Sequence, residues 1–243
     1  MNASPDIARE ITSTGRLRVA LNMGNPVLAR SQTSSERPAG VTIDLGRRFA
    51  ALLGVKADFL ECASAGVAGS AIAADEADVG FMAIDPQRAE TLHFSAPYVQ
   101  IEGWYVVRVG SPLRRPEDVD RAGIRVVAGK GSAYGLFLHR ELRQAQMVDV
   151  PTSEEVADKL LADPALDVAA GVLQQLETDI RRHPQLRLLP GAFMTIRQAM
   201  TMANKHSPAA KQCMERFMQE QRSSGFIREA LARHGMEGVT VLG

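Results

Sequence analysis

The 243-residue sequence is short of several things, and each shortage excludes a class of protein. Two cysteines, Cys62 and Cys213, are too few for a disulfide-stapled scaffold. Two partly buried free thiols are the plainer reading, with a single bridge left open. The five histidines, at 93, 139, 183, 206 and 234, show no metal-ligand spacing, so neither a metal nor any other cofactor is expected. No apolar run approaches the ~18 residues that a membrane-spanning helix needs. Net charge is absent, since 28 basic residues balance 28 acidic ones, and no basic stripe points to nucleic acid. There is no Gly-x-Ser-x-Gly elbow for a nucleophilic serine. The one glycine-rich turn carrying a lysine has Lys130 before Gly131, the wrong order for a phosphate loop. The first fifteen residues, MNASPDIAREITSTG, contain acids and proline but no apolar core. They do not read as a cleaved signal, which implies a cytoplasmic protein if Met1 is the native start.

What is present is a core and an alternation. Apolar residues make up 45% of the chain, enough for a well-buried interior. Short apolar runs alternate with helical stripes, which gives an α/β class with mostly parallel strands. Strands are expected over 15–21, 55–60, 79–84, 99–109, 124–128, 147–150, 166–172, 186–189 and 193–202. Helices are expected over 42–53, 64–75, 154–162, 173–183, 209–217 and 226–232. A further helix should follow Tyr134, and the Pro/Ser-rich 29–39 reads as a surface loop.

The most informative stretch is 78–98, DVGFMAIDPQRAETLHFSAPY. A buried strand runs into Asp85-Pro86, a helix start with Asp at the N-cap and Pro at the first helical position. The helix is expected to end at Phe94-Ser95-Ala96-Pro97-Tyr98, because the residue before proline leaves the helical region. A strand feeding a helix start leaves N–H groups at the strand's carboxyl end, where open α/β sheets bind ligands. Arg88 adds a planar two-pronged donor suited to a carboxylate. The residues alone allow either a carboxylate-binding corner or an ordinary turn with a solvated arginine. Gly129-Lys130-Gly131-Ser132-Ala133-Tyr134 repeats the same strand, turn and helix start in the second half.

Asp-Val, then Pro-x-Arg, then Phe-Ser-x-Pro-Tyr resembles the central signature of the family 3 solute-binding proteins, the polar amino-acid receptors of bacterial ABC importers. The pieces Gly15–Ala20, Gly40–Leu45, Gly131-Ser132-Ala133 and Ser223–Ile227 are similar to that family in the same order, over roughly residues 15–234. The resemblance implies a two-lobed periplasmic-binding-protein fold of type II with two crossover hinges. Its lobes would be 1–100 with 198–243, and 101–197, the hinges lying near Glu102-Gly103 and 196–199. Gly103 reads as a hinge or as a bulge. It further implies a monomeric binder, not an enzyme, that closes on a small polar or carboxylated metabolite. The implied partner is an ABC permease and the implied location is the periplasm. The implied ligand-binding set is Asn22, Asn25, Ala83, Asp85, Arg88, Gly131, Ser132, Ala133, Tyr134 and Val172.

The sequence departs from the family pattern in three places. Asn25 stands where an aromatic is usual, so a stacking platform is missing, and Asn22 fits either the ligand or turn chemistry alone. The segment Ala83-Ile84-Asp85-Pro86 is two residues short and lacks the usual hydroxyls. Val172 occupies the position of the acid that faces a ligand's amino group. Either Asp85 or Glu102 replaces that acid, or the ligand carries no ammonium there. A dehydratase on the same scaffold is the alternative activity, but it needs a carboxyl early in the helix after Val172, where Gln174 and Gln175 stand. A cytosolic ligand sensor is the third reading.

Overall fold

The computed structural model describes residues 3–32, 35–236 and 238–243. The chain divides into two units, Met1–Gln100 with Arg197–Gly243, and Ile101–Ile196.

In chain order the first unit opens with helix α1 (Pro5–Ile11), strand β1 (Arg16–Asn22) and the hairpin β2 (Arg30–Gln32) and β3 (Ser35–Ala39). Then come α2 (Val41–Leu53), β4 (Lys56–Cys62), α3 (Ala65–Ala73), β5 (Val79–Ala83), the four-residue α4 (Pro86–Ala89) and β6 (Leu92–Phe94). Strand β7 (Val99–Arg108) carries the chain into the second unit. There β8 (Arg125–Gly129), α5 (Ala133–Glu141), β9 (Gln146–Val150), α6 (Val156–Ala162), β10 (Val168–Val172), α7 (Leu173–Arg182) and β11 (Leu186–Leu188) follow. Strand β12 (Met194–Ala203) returns the chain, and α8 (Pro208–Ser223), α9 (Phe226–Arg233) and β13 (Thr240–Val241) complete it.

Within the first unit the strand order is β4-β1-β5-β12, with β4, β1 and β5 parallel and β12 antiparallel to β5. Every residue of β5 is buried, as expected of an apolar strand covered on both faces. Small residues let α3 lie close on this sheet: Ala65, Ala68 and Ala71 pack with Ala20, Ile72 and Met82. In the second unit β7, β10, β8 and β9 are neighbours in that order, with β10 parallel to β8 and antiparallel to β7. Its core is more branched, joining Val106, Val127, Val156, Leu160, Ala169 and Leu176.

The structure departs from the sequence reading in local ways. Within the 29–39 stretch, read as a loop, Arg30–Gln32 and Ser35–Ala39 pair as antiparallel strands. Helix α1 had no periodic signal of its own; Ile11 is buried, and Glu10 accepts the N–H and hydroxyl of Ser207 at the start of α8. Helix α4 stops at Ala89, and Leu92–Phe94 is already a strand paired with β12. Helix α8 runs to Ser223, well beyond residue 217. Gly103 sits in a regular ladder opposite Val172, with no bulge. A Cβ there would meet Met194 Cγ at 2.7 Å, so close packing on Phe193-Met194 requires the glycine. Cys62 and Cys213 are both free and buried.

A partly buried charge pair ties β1 to the residue that leads into β5. Asp78 accepts the backbone N–H of Arg18 at 2.7 Å and its guanidinium at 2.5 Å. Asp78→Ala removes the buried carboxylate and the acceptor of the Arg18 N–H, while the partly exposed guanidinium keeps Asp75. We expect a loss of about 1–3 kcal/mol in equilibrium urea unfolding; no change would show that solvent replaces the carboxylate.

Candidate functional site

The first unit builds its corner from the last residues of β5. The strand ends at Ala83, and Ile84 still donates its N–H to Arg197 O at 2.9 Å. Asp85 leaves the ladder in extended conformation and caps α4, its Oδ1 accepting from Gln87 N at 2.9 Å and Arg88 N at 3.4 Å. Pro86 fixes the first helical position. The turn folds Arg88 back on the strand that precedes it, and Arg88 Nη1 donates to Ala83 O at 2.9 Å. Arg88 is only 8% exposed. Burial lowers its pKa to about 10, with Asp85 pulling the other way. It is therefore a desolvated cation, still charged at neutral pH, at the carboxyl end of the central strand.

Asn22 ends β1 on the same edge, with a buried side-chain oxygen that finds no partner among the described residues. Asn25 is committed locally: its Oδ1 accepts Val27 N at 3.2 Å, closing its own turn. Phe-Ser-x-Pro-Tyr has a structural role in this unit. Ser95 N donates to Met200 O, and its hydroxyl accepts Met200 N at 3.2 Å, tying the segment to β12. Tyr98 N donates to Gln198 O, and its ring meets Phe81 edge-on at 6.1 Å.

Gln198 escaped the sequence reading. It lies on β12 directly opposite Ala83, is 3% exposed, and has an amide oxygen without a partner among the described residues. The available signal was a lone polar amide within Ile196-Arg197-Gln198-Ala199-Met200, a stretch read only as a crossing.

The second unit builds its own corner. Strand β8 ends at Gly129, Lys130 N donates to Val150 O, and Gly131 takes a φ of +69° that a side chain would resist. Ser132 caps α5, its hydroxyl accepting Gly135 N at 2.9 Å, and Ala133 is the first helical residue. Tyr134 turns inward and donates its hydroxyl to Ser153 at 2.7 Å, and its burial pushes the phenol's pKa up. Ser153 lies in a short 3-10 turn ahead of α6 and receives that phenol. Val172 ends β10 and stands at the N-cap of α7 with no side-chain cap. Asp179, further along α7 and unmarked by the sequence reading, is fully buried. It is held by Arg182 at 2.5 Å and Gln175 at 3.1 Å. Glu102 accepts Trp104 Nε1 at 2.9 Å.

Among the described residues no cluster of three or more His, Cys, Asp and Glu could hold a metal. Each histidine instead stands beside one carboxylate: His93 by Glu215, His139 by Asp149, His183 by Asp158, His206 by Glu10 and His234 by Asp44.

Sequence comparison decides the family: residues 17–237 match the model of the bacterial extracellular solute-binding proteins, family 3. The chain belongs to that family. Among curated proteins, this solute-binding protein is 29% identical over 186 residues to a membrane-bound lytic murein transglycosylase F of Pectobacterium atrosepticum. The match covers 73% of this chain but 37% of the relative, so the chain spans little more than a third of the length of such relatives. Among solved structures, a mutant of ArgBP from T. maritima superposes with a TM-score of 0.80 at 18% identity, covering 95% of this chain and all of that one. The amino acid ABC transporter substrate-binding protein AbpA of Streptococcus pneumoniae, bound to L-arginine, gives 0.77 at 20% identity, covering 92% of this chain and 96% of that one. The fold is that of the type II periplasmic-binding proteins. The family is mostly one of binding proteins, with enzymes by name among its relatives.

The unpartnered polar atoms give a test of their own. Tyr98 is fully buried and its hydroxyl has no partner among the described residues. Tyr98→Phe removes an unsatisfied group at nearly constant shape, so stability should hold or rise by about 1 kcal/mol in urea unfolding. A loss of that size would mean that the hydroxyl is hydrogen-bonded in solution.

Proposed function

We propose that this chain is the solute-receiving component of an ABC importer and binds a small polar or carboxylated metabolite through Arg88. The observation that carries the reading is the desolvated guanidinium at the end of β5. A guanidinium held at the carboxyl end of a central strand is a planar, two-pronged donor matched to a carboxylate. Asn22 and Ala83 belong to the same corner, with Gln198 added to them. In the second unit the backbone and hydroxyl of Gly131, Ser132 and Ala133 form the polar loop for the ligand. Asp85 and Asn25 act through the turns they close, and Tyr134 through Ser153. Family membership supports a place outside the cytoplasmic membrane with a permease as partner, and fractionation of the native host tests it.

We read the chain as a binder rather than an enzyme. Gln174 and Gln175 are amides and cannot serve as general acids. The acid that α7 does carry in its buried face, Asp179, is sealed from solvent and held by Arg182. Prephenate and arogenate are therefore expected to be stable in its presence; turnover of either would restore the dehydratase reading.

Two measurements test the binding reading. Arg88→Met keeps the volume of the side-chain stem and removes the charge. Affinity for the solute that co-purifies with the protein should fall by at least ~2 kcal/mol by calorimetry; unchanged affinity contradicts the carboxylate corner. Family membership also implies closure on the ligand. Small-angle scattering should then give a smaller radius of gyration at saturating ligand, and identical profiles would argue against closure.

A further inference from the structure

The inference deepens the carboxylate reading of Arg88, on which it rests, and concerns a residue of the same unit, Gln198. Ile84, just past β5, donates its N–H to Arg197 O on β12. The neighbouring pair, Ala83 and Gln198, is therefore of the non-hydrogen-bonded kind, in which opposite side chains stand closest and share a face. The Ala83 main chain points away from β12, and its carbonyl accepts Arg88 Nη1 at 2.9 Å. One small residue thus joins the two side chains: its carbonyl holds the guanidinium, and its methyl lies beside the Gln198 side chain.

That amide is an exception on its strand. Ile196, Ala199, Met200 and Met202 are apolar and buried, and the buried hydroxyl of Thr201 donates to His93 O at 2.8 Å. Gln198 is 3% exposed, its backbone carbonyl is taken by Tyr98 N, and its side-chain oxygen has no partner among the described residues. A buried amide oxygen left unpaired costs stability, and a methionine would fill the same space without that cost. Tyr98 also buries an unpartnered oxygen, but its ring packs edge-on against Phe81, whereas Gln198 stands beside the residue that holds Arg88. We infer that Gln198 sets ligand specificity: its side-chain oxygen accepts a hydrogen bond from a hydroxyl or N–H group that the ligand carries beside its carboxylate. The ligand class is a carboxylate with a hydrogen-bond donor close to the acid group. A bare acid of the same skeleton leaves the amide unpaired, which is the situation in which a polar site discriminates most strongly.

The experiment measures Tm and calorimetric affinity for the full chain and for its Gln198→Met and Arg88→Met variants with matched carboxylates. The sets are propanoate against lactate and alanine, hydrocinnamate against phenyllactate and phenylalanine, and butanoate against succinamate. A ligand that binds the native state raises Tm by mass action. On at least one skeleton the donor-bearing acid should raise Tm and bind about tenfold or more tighter than its bare counterpart. Gln198→Met should abolish that difference, leave the affinity of the bare acid unchanged, and give an unliganded Tm equal to or above that of the wild-type chain. Arg88→Met should weaken both members of the set. Bare and donor-bearing acids that bind the wild-type chain equally, or a difference that survives in Gln198→Met, overturn the inference; weakening of both by Arg88→Met then leaves the carboxylate reading standing. A fall in the unliganded Tm of Gln198→Met assigns the amide to the fold and overturns the inference as well. A panel in which no carboxylate raises Tm overturns the carboxylate reading and the inference together.

Discussion

A buried arginine is the constraint from which the functional account follows. Guanidinium groups are stable in water and expensive away from it, so Arg88 has to be held by what folding places around it. The sequence arranges this within six residues. Ala83 ends the strand and offers its carbonyl, Asp85 caps the turn and lends its charge, and Pro86 fixes the first helical φ. The same atoms that satisfy the cation also fix its direction, which is what a site for an anion requires.

The second unit solves a related problem without a charge. A parallel strand ends at Gly129, a glycine in positive φ turns the chain, and a serine caps the helix that follows. Behind the turn, Tyr134 and Ser153 join α5 to the start of the α6 region. A Cβ at Gly129 would lie 2.8 Å from the Ser153 hydroxyl, so the packing admits no side chain there. The first unit's corner holds a charge, and the second unit's corner is a shaped polar backbone. A parallel strand running into a helix start leaves unpaired backbone groups at its carboxyl end in both cases.

Much of this was legible in the sequence because the relevant signals are local. The Asp-Pro start of α4 depends on residues within one turn and stands where the sequence places it, while the helix after the glycine-rich turn opens at Ala133, before the expected start beyond Tyr134. The apolar runs at 79–84 and 166–172 coincide with the fully buried strands β5 and β10. What the sequence hid depends on distant residues. Gln198 gains its meaning from lying opposite Ala83 across a sheet, over a hundred residues away. Asp179 reads as an ordinary helix surface acid until Arg182 and Gln175 close around it. Gly103 looks like a hinge or a bulge in one dimension, and only the approach of Met194 shows why a side chain is excluded. The Ser153 hydroxyl receives Tyr134 from another helix, a contact that no local pattern marks.

The most direct measurement is to purify the protein from its native host without exogenous ligand, denature it, and identify by mass spectrometry what is released. A small molecule with a carboxylate, in stoichiometric amount, is the result predicted by a desolvated Arg88 at the end of β5. Release of a stoichiometric solute with no anionic group, a neutral sugar or a polyamine, would contradict the account at its centre.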